Sequence, residues 1–208
     1  ANQEENKEIE VEETNVEASQ IKIYKVIHEL VALLTPHYPE MVLRINLQVV
    51  QAINNLTGAT DLEDLAYDFY SQACIIFEEE ITEQEHKSRA LNLLVSTLFN
   101  LTCFGTENFS TLVSNTVAYS SKLLKKNAQC DALTTSAHLF YSPFRKDGNQ
   151  VMTQLRKALK TSEICMTKPE NLYLLVNILN KYVYYFYMEY DFMTAQDIND
   201  LISFIKET

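Results

Sequence analysis

Ser121-Lys-Leu-Leu-Lys-Lys-Asn-Ala-Gln-Cys-Asp-Ala-Leu-Thr-Thr-Ser-Ala-His-Leu-Phe140 reads as the end of one helix, a short polar break and a second helix that stops on an aromatic. Upstream, Leu112, Val113, Val117, Ser120 and Leu124 recur at helical spacing and form one apolar stripe. Lys122, Lys125 and Lys126 sit in the last turn of that helix, where cations offset the carbonyl end of the dipole. Asn127 is a candidate N-cap for the next helix. There Leu133, Ala137 and Phe140 make the core stripe, and His138 falls beside it.

The same period continues on both sides. Leu62, Leu65, Ala66, Phe69, Ala73, Ile76 and Phe77 form a stripe behind a candidate cap at Asp61, and Leu91, Leu94, Val95, Leu98 and Leu101 form another that ends towards Gly105. Two segments are apolar on two faces. Val42, Ile45, Val49 and Ile53 lie beside Leu43, Leu47 and Val50. Leu172, Leu175, Val176, Leu179, Val183, Phe186 and Tyr190 lie beside Leu174, Ile178 and Tyr185. A helix with two apolar faces is sandwiched between neighbours. About nine helices follow, near 21–35, 40–57, 61–81, 84–102, 108–125, 128–140, 149–166, 169–189 and 195–206. Paired, they give hairpins that start near 21, 61, 108 and 149, a pitch of roughly 40 to 46 residues that matches HEAT-like repeats. The expected fold is therefore all-α: a right-handed HEAT-like solenoid of antiparallel hairpins over residues 21–208, with a compact irregular bundle as the competing arrangement.

Composition agrees. With only 3 Gly and 4 Pro in 208 residues, the chain lacks the turns of an all-β fold and the glycine loop of a dinucleotide fold. A formal net charge of −11 opposes contact with phosphate backbones and anionic lipid heads, so nucleic acid is not an expected ligand and any membrane attachment is expected to be indirect. Residues 1–20 differ from the rest: Glu4, Glu5, Glu8, Glu10, Glu12, Glu13 and Glu17 face a single Lys7. Such a segment buries too little apolar surface to order itself and is expected to be a disordered acidic leader or linker. No secretory signal is visible there. The sequons at Asn55, Asn100 and Asn108 therefore carry little weight. Cys74, Cys103, Cys130 and Cys165 are widely spaced within apolar runs, the pattern of reduced, buried thiols.

No catalytic signature emerges. Gly58, Gly105 and Gly148 stand alone, His28-Glu29 has no second histidine at zinc spacing, and His37, His86 and His138 lack ligand-type neighbours. No catalytic, cofactor-binding or metal-binding residue is assigned and no cofactor is expected. Glu78, Glu79, Glu80, Glu83 and Glu85 crowd a helix junction as a solvated face that Lys87 and Arg89 can compensate. The block Tyr182-Val-Tyr-Tyr-Phe-Tyr-Met188 is too short to span a membrane. Its tyrosines point all round the helix, so some fill the core and others suit a binding surface.

The opening stretch also resembles a segment of the retromer large subunit family, vacuolar protein sorting-associated protein 35. Phe69-Tyr-Ser-Gln-Ala-Cys74, Phe77-Glu-Glu-Glu-Ile81, Lys157-Ala-Leu-Lys160 and Ile178-Leu-Asn-Lys-Tyr-Val-Tyr184 are similar to the family's flanking helices, and Thr102-Cys-Phe-Gly-Thr-Glu-Asn108 to its helix-ending loop. The resemblance runs from about Val42 to the end and is absent before about Ile21. It implies the C-terminal half of a non-enzymatic scaffold, cytoplasmic and peripheral on endosome membranes, in a coat that returns cargo to the Golgi or the cell surface. It implies a concave face that grips the phosphoesterase-fold subunit, vacuolar protein sorting-associated protein 29, no binding of the arrestin-like subunit, and self-association in the coat. On that basis His138, Tyr141, Lys181 and Tyr185 are the expected partner-binding residues, and His138→Ala and Tyr185→Ala are expected to weaken binding with melting nearly unchanged. The loop from Tyr141 to Gly148 departs from the family, which has Trp at the position of Tyr141 and a longer, glycine-containing loop. The competing functions are an unrelated helical-repeat adaptor that takes a peptide in its groove and a helical hydrolase or lyase with a dispersed site.

Overall fold

The helix within the opening stretch is the partition between two hydrophobic cores. The computed structural model describes residues 21–56, 62–142 and 145–207. Helix α6 (Lys126–Ser136) sends Ala132, with Ala128 beside it, into one core and Cys130 and Leu133 into the other. The single 3₁₀ turn that continues it, Ala137–Phe140, does the same: Leu139 joins the first core and Ala137 the second, while Phe140 packs on both. The double face found in the sequence at other helices is therefore most developed here, where small residues let both neighbours approach.

Nine α-helices are formed by the described residues: α1 over 21–34, α2 (Pro39–Asn54), α3 (Glu63–Glu79), α4 (Gln84–Asn100), α5 (Thr106–Lys122), α6, α7 (Gly148–Cys165), α8 (Leu172–Tyr187) and α9 (Ala195–Glu207). Each expected helix is present and the fold is an all-α solenoid of hairpins. Two short strands interrupt it, β1 (Tyr141–Ser142) and β2 (Arg145–Lys146), antiparallel with Tyr141 opposite Lys146. The sequence reading treats that segment as a plain loop. The expected leader at 1–20 and the expected cap at Asp61 lie outside the described residues.

Two expected ends move for local reasons. Helix α5 stops at Lys122 instead of running on to residue 125, so Leu123 turns inward and Leu124 is exposed. Asn127 then lies inside the first turn of α6, with Oδ1 accepting from the Ala128 N–H at 2.9 Å, and Lys125 occupies the cap position. Gly105 does not close α4; it is the N-cap of α5, and its N–H donates to Glu63 Oε1 at 2.8 Å.

The rows of the stack are unequal. Helices α2, α4, α6 and α8 pack on one another in sequence, whereas in the other row α3 touches α5 lightly and α5 and α7 spread apart around a cavity. The even-numbered helices therefore form the continuous, closely packed row of the stack. Helix α1 packs Tyr24 and His28 on Phe69 of α3 and leaves Ile23, Val26, Leu30 and Leu33 exposed, again the pattern of a helix with two apolar faces.

On α8 the two apolar faces exchange the roles that the sequence suggests. Leu174, Ile178, Tyr182 and Tyr185 are the buried side, and Leu172, Val176, Val183 and Phe186 of the longer stripe stay more than 40% exposed. Helix α8 closes with Glu189 at φ 55, where the Tyr190 N–H donates to the Tyr185 carbonyl at 3.2 Å and the Glu189 N–H to the Phe186 carbonyl at 2.9 Å. This is the Schellman hydrogen-bond pair, made with glutamate where glycine is usual, at a backbone cost of roughly 1 kcal/mol. The turn folds Tyr190 back to 6.0 Å from the Tyr185 ring. Gly148, at the start of α7, takes the ring of Phe192 so closely that a Cβ there would lie 2.4 Å from it.

Candidate functional site

His138 owes its position to the change of pitch at the end of α6. The 3₁₀ turn rotates it off the core stripe, so that it is half-buried while Ala137 and Leu139 on either side are buried. Its Nδ1 is hydrogen-bonded to Tyr185 Oη at 3.0 Å. Phe99 of α4 and Tyr184 of α8 stand edge-on to the imidazole, with centroids at 6.1 and 5.3 Å. Three even-numbered helices thus meet at one imidazole.

Around it lies an open groove of about 520 Å³, mostly apolar in its walls. Val95 and Phe99 come from α4, Thr135 and His138 from α6 and its turn, and Lys181 and Tyr184 from α8. That volume lies within the usual range for a ligand cleft and takes one or two anchoring side chains. Burial, and then the charge of Lys181, push the His138 pKa down to about 4, and burial lowers that of Lys181. Near neutral pH the groove therefore presents a neutral imidazole with a single ammonium at its lip. Burial holds the Tyr185 phenol protonated.

A pH dependence follows from the sign of that shift. The unfolded chain binds a proton at His138 below about 6.5, and the folded chain does not until about 4. The stabilising contribution of this residue is complete above pH 6.5 and is lost as the pH falls towards 4. Urea unfolding at pH 7 and at pH 4.5 should show a smaller loss of stability for His138→Gln than for the wild type; equal losses would contradict the assignment.

Of the four expected site residues, the structure brings His138 and Lys181 together in the groove. Tyr185 is different: it has no accessible surface, so it cannot touch a partner and acts as the support on which His138 is fixed. Tyr141 points away from the groove and joins a ring cluster, 4.2 Å from Tyr190 and 5.0 Å from Phe192. The tyrosine block divides evenly: Tyr182 and Tyr185 are buried, and Tyr184 and Tyr187 are 41% and 82% exposed. The sequence reading passes over Phe99 and Thr135 as groove residues and offers Tyr184 only as one of a block of tyrosines, some of which suit a binding surface. Helical spacing from Val95 could have flagged Phe99, but no local signal shows that α4 faces α8 across α6.

The cysteines and the crowded glutamates have structural roles. All four cysteines are free and buried, with burial pushing the thiols of Cys74 and Cys130 up to about 12 and that of Cys103 to about 11. Of the crowded glutamates, Glu78 pairs with Lys122 at 3.3 Å and accepts from Tyr119 at 3.1 Å, while Glu85 is 3.9 Å from Arg89. Among the described residues no three His, Cys, Asp or Glu side chains are grouped to hold a metal ion, and no helix is long and apolar enough to cross a membrane.

Hairpins that bury their second faces against the next pair, with a groove opening on the close-packed row, define an α-solenoid. The chain belongs to the vacuolar protein sorting-associated protein 35 family, whose family model matches residues 1–208. The match begins at residue 1, so it takes in the acidic segment that the sequence reading leaves outside the resemblance. The chain is 36% identical over 198 residues to vacuolar protein sorting-associated protein 35B of Arabidopsis thaliana, covering 89% of this chain and 24% of that protein. It is 32% identical over 152 residues to the Schizosaccharomyces pombe protein (69% and 18%) and 30% identical over 192 residues to that of Dictyostelium discoideum (90% and 24%). It spans about a quarter of the length of these relatives or less. Family membership removes the unrelated adaptor from consideration.

Proposed function

We propose that this segment is a non-enzymatic scaffold element of the retromer coat, acting in protein sorting at endosomes, and that its close-packed row grips the phosphoesterase-fold subunit, vacuolar protein sorting-associated protein 29. Family membership supports the sorting role. The observation that carries the grip is the groove at His138, where α4, α6 and α8 converge on one half-buried imidazole. A rigid stack that holds such a groove loses little freedom when a folded partner docks, so buried area converts more fully to affinity. Phe99 and Tyr184 supply aromatic area, His138 a directional polar contact and Lys181 a charge at the rim, the composition of an interface centre with a polar edge. Attachment to the membrane would then pass through other coat components.

Titration calorimetry with the phosphoesterase-fold subunit tests this. Saturable heat is expected from the wild-type chain. His138→Ala and Tyr184→Ala are expected to weaken binding by about tenfold or more; Tyr184→Ala should keep a melting temperature close to wild type, whereas His138→Ala should also cost about 1 kcal/mol of stability, because the buried Tyr185 hydroxyl loses its partner. Absence of heat from the wild-type chain defeats the partner assignment. Full affinity in both variants defeats the site while sparing the partner.

A further inference from the structure

The wedge between α5 and α7 holds a second cavity of about 440 Å³, on the row opposite the His138 groove. Its floor is apolar, formed by Phe109 and Val113 of α5 with Leu139 and Phe140 of the 3₁₀ turn. At its lip β2 presents Arg145 and Lys146 side by side. The Arg145 guanidinium lies over the face of Phe109, and among the described residues no carboxylate comes within ion-pair distance of it. Burial alone lowers its pKa to about 10. The one carboxylate in the cavity wall, Asp147, is already engaged as the cap of α7, accepting from the Gln150 N–H at 3.0 Å.

A half-buried guanidinium without a counterion is costly to hold. It is also out of keeping with a chain of net charge −11, in which two adjacent cations at a cavity mouth make a local reversal of sign. With no carboxylate of the described residues paired to it, the guanidinium fork can receive one in two parallel hydrogen bonds. We propose that this cavity docks an acidic peptide segment of a partner protein, with one Asp or Glu carboxylate in the fork of Arg145 and the neighbouring apolar side chain against Phe140, the half-buried apolar residue of the wall. The apolar floor argues against a free inorganic anion, and the acidic surface as a whole repels phosphate polymers and anionic bilayers. This site is separate from the His138 groove and does not depend on what binds there.

Fluorescence anisotropy tests the proposal with a fluorescein-labelled peptide, Gly-Glu-Leu-Glu-Leu-Gly, and a control in which lysine replaces glutamate. The acidic peptide is expected to bind saturably and the lysine peptide is not. Arg145→Gln is expected to weaken binding by about tenfold or more, and Arg145→Lys, which keeps the charge but loses the planar fork, by less. Raising the ionic strength should weaken the wild-type interaction. If Arg145→Gln also lowers the melting temperature, Lys146→Gln serves in its place, since Lys146 is exposed, with a loss of a few-fold expected. No saturable binding of the acidic peptide up to about 1 mM, equal binding of the lysine peptide, or full affinity in both charge-removed variants would overturn the proposal. So would Arg145-dependent capture by phosphatidylserine vesicles without peptide binding.

Discussion

Tyr185→Ala should cost about 3–5 kcal/mol of unfolding free energy, the usual range for emptying a buried aromatic site. The ring has no accessible surface and is the hub of a cluster, with Phe192 at 5.3 Å, Tyr190 at 6.0 Å and Tyr141 at 6.5 Å between centroids. These neighbours reach it from the end of α8, from the turn after it and from the strand β1, so no single movement can close the hole. The family resemblance suggested instead a variant with wild-type melting and impaired binding. That expectation fails on burial alone: an interface residue must be reachable, and Tyr185 is not. Tyr185→Phe separates the two contributions. It keeps the packing and removes only the hydroxyl, at about 1 kcal/mol, but leaves His138 Nδ1 without its 3.0 Å partner. Urea denaturation should rank the proteins wild type, Phe, Ala, with a wide gap before Ala. If alanine costs less than about 1 kcal/mol, the cluster is not a packed core.

The contrast shows which features were legible. Helix number and order could be read because nine segments repeat apolar residues at helical spacing, and few glycines or prolines compete with that signal. The two apolar faces of α2 and α8 are themselves a sign of stacking. Periodicity does not rank two apolar faces against each other, however, and on α8 the longer stripe proved to be the more open one. The choice depends on where α6 and α9 lie, and their positions are not encoded within α8. Glu189 hid the turn that brings Tyr190 and Phe192 into the cluster, because the expected sign of that turn is glycine. The β1–β2 hairpin carries no alternating pattern, being two residues on each side. Of the site, His138 and Lys181 could be named in advance, but only the resemblance pointed to them. Phe99 and Thr135 needed three helices to be placed side by side.

Tyr70 is the second position where a large effect is expected, and spacing alone did not single it out, since Phe69 beside it carries the obvious stripe. It is fully buried, and its hydroxyl reaches two other helices: it donates to the Leu94 carbonyl of α4 at 3.1 Å and meets Thr116 Oγ1 of α5 at 3.1 Å. One side chain therefore ties α3 to both of the helices that follow. Tyr70→Ala should lower stability by about 3–5 kcal/mol, a large part of the roughly 5–15 kcal/mol typical of a folded domain. Tyr70→Phe should cost only about 1 kcal/mol. Thr116 can then turn its hydroxyl to a carbonyl one turn back in α5, and the Leu94 carbonyl lies within a helix that offers it another donor. If phenylalanine proves as damaging as alanine, the hydrogen bonds outweigh the packing. The same substitution reaches the groove indirectly. Leu94 is adjacent to Val95 and lies one turn before Phe99, both of which form the groove wall. A chain with Tyr70→Ala that still folds at low temperature should therefore bind a groove partner more weakly, although Tyr70 is too deep to touch it. Unchanged affinity in a destabilised but folded variant would mean that α4 is held in place from the α6 side instead, through the contact between Phe99 and His138.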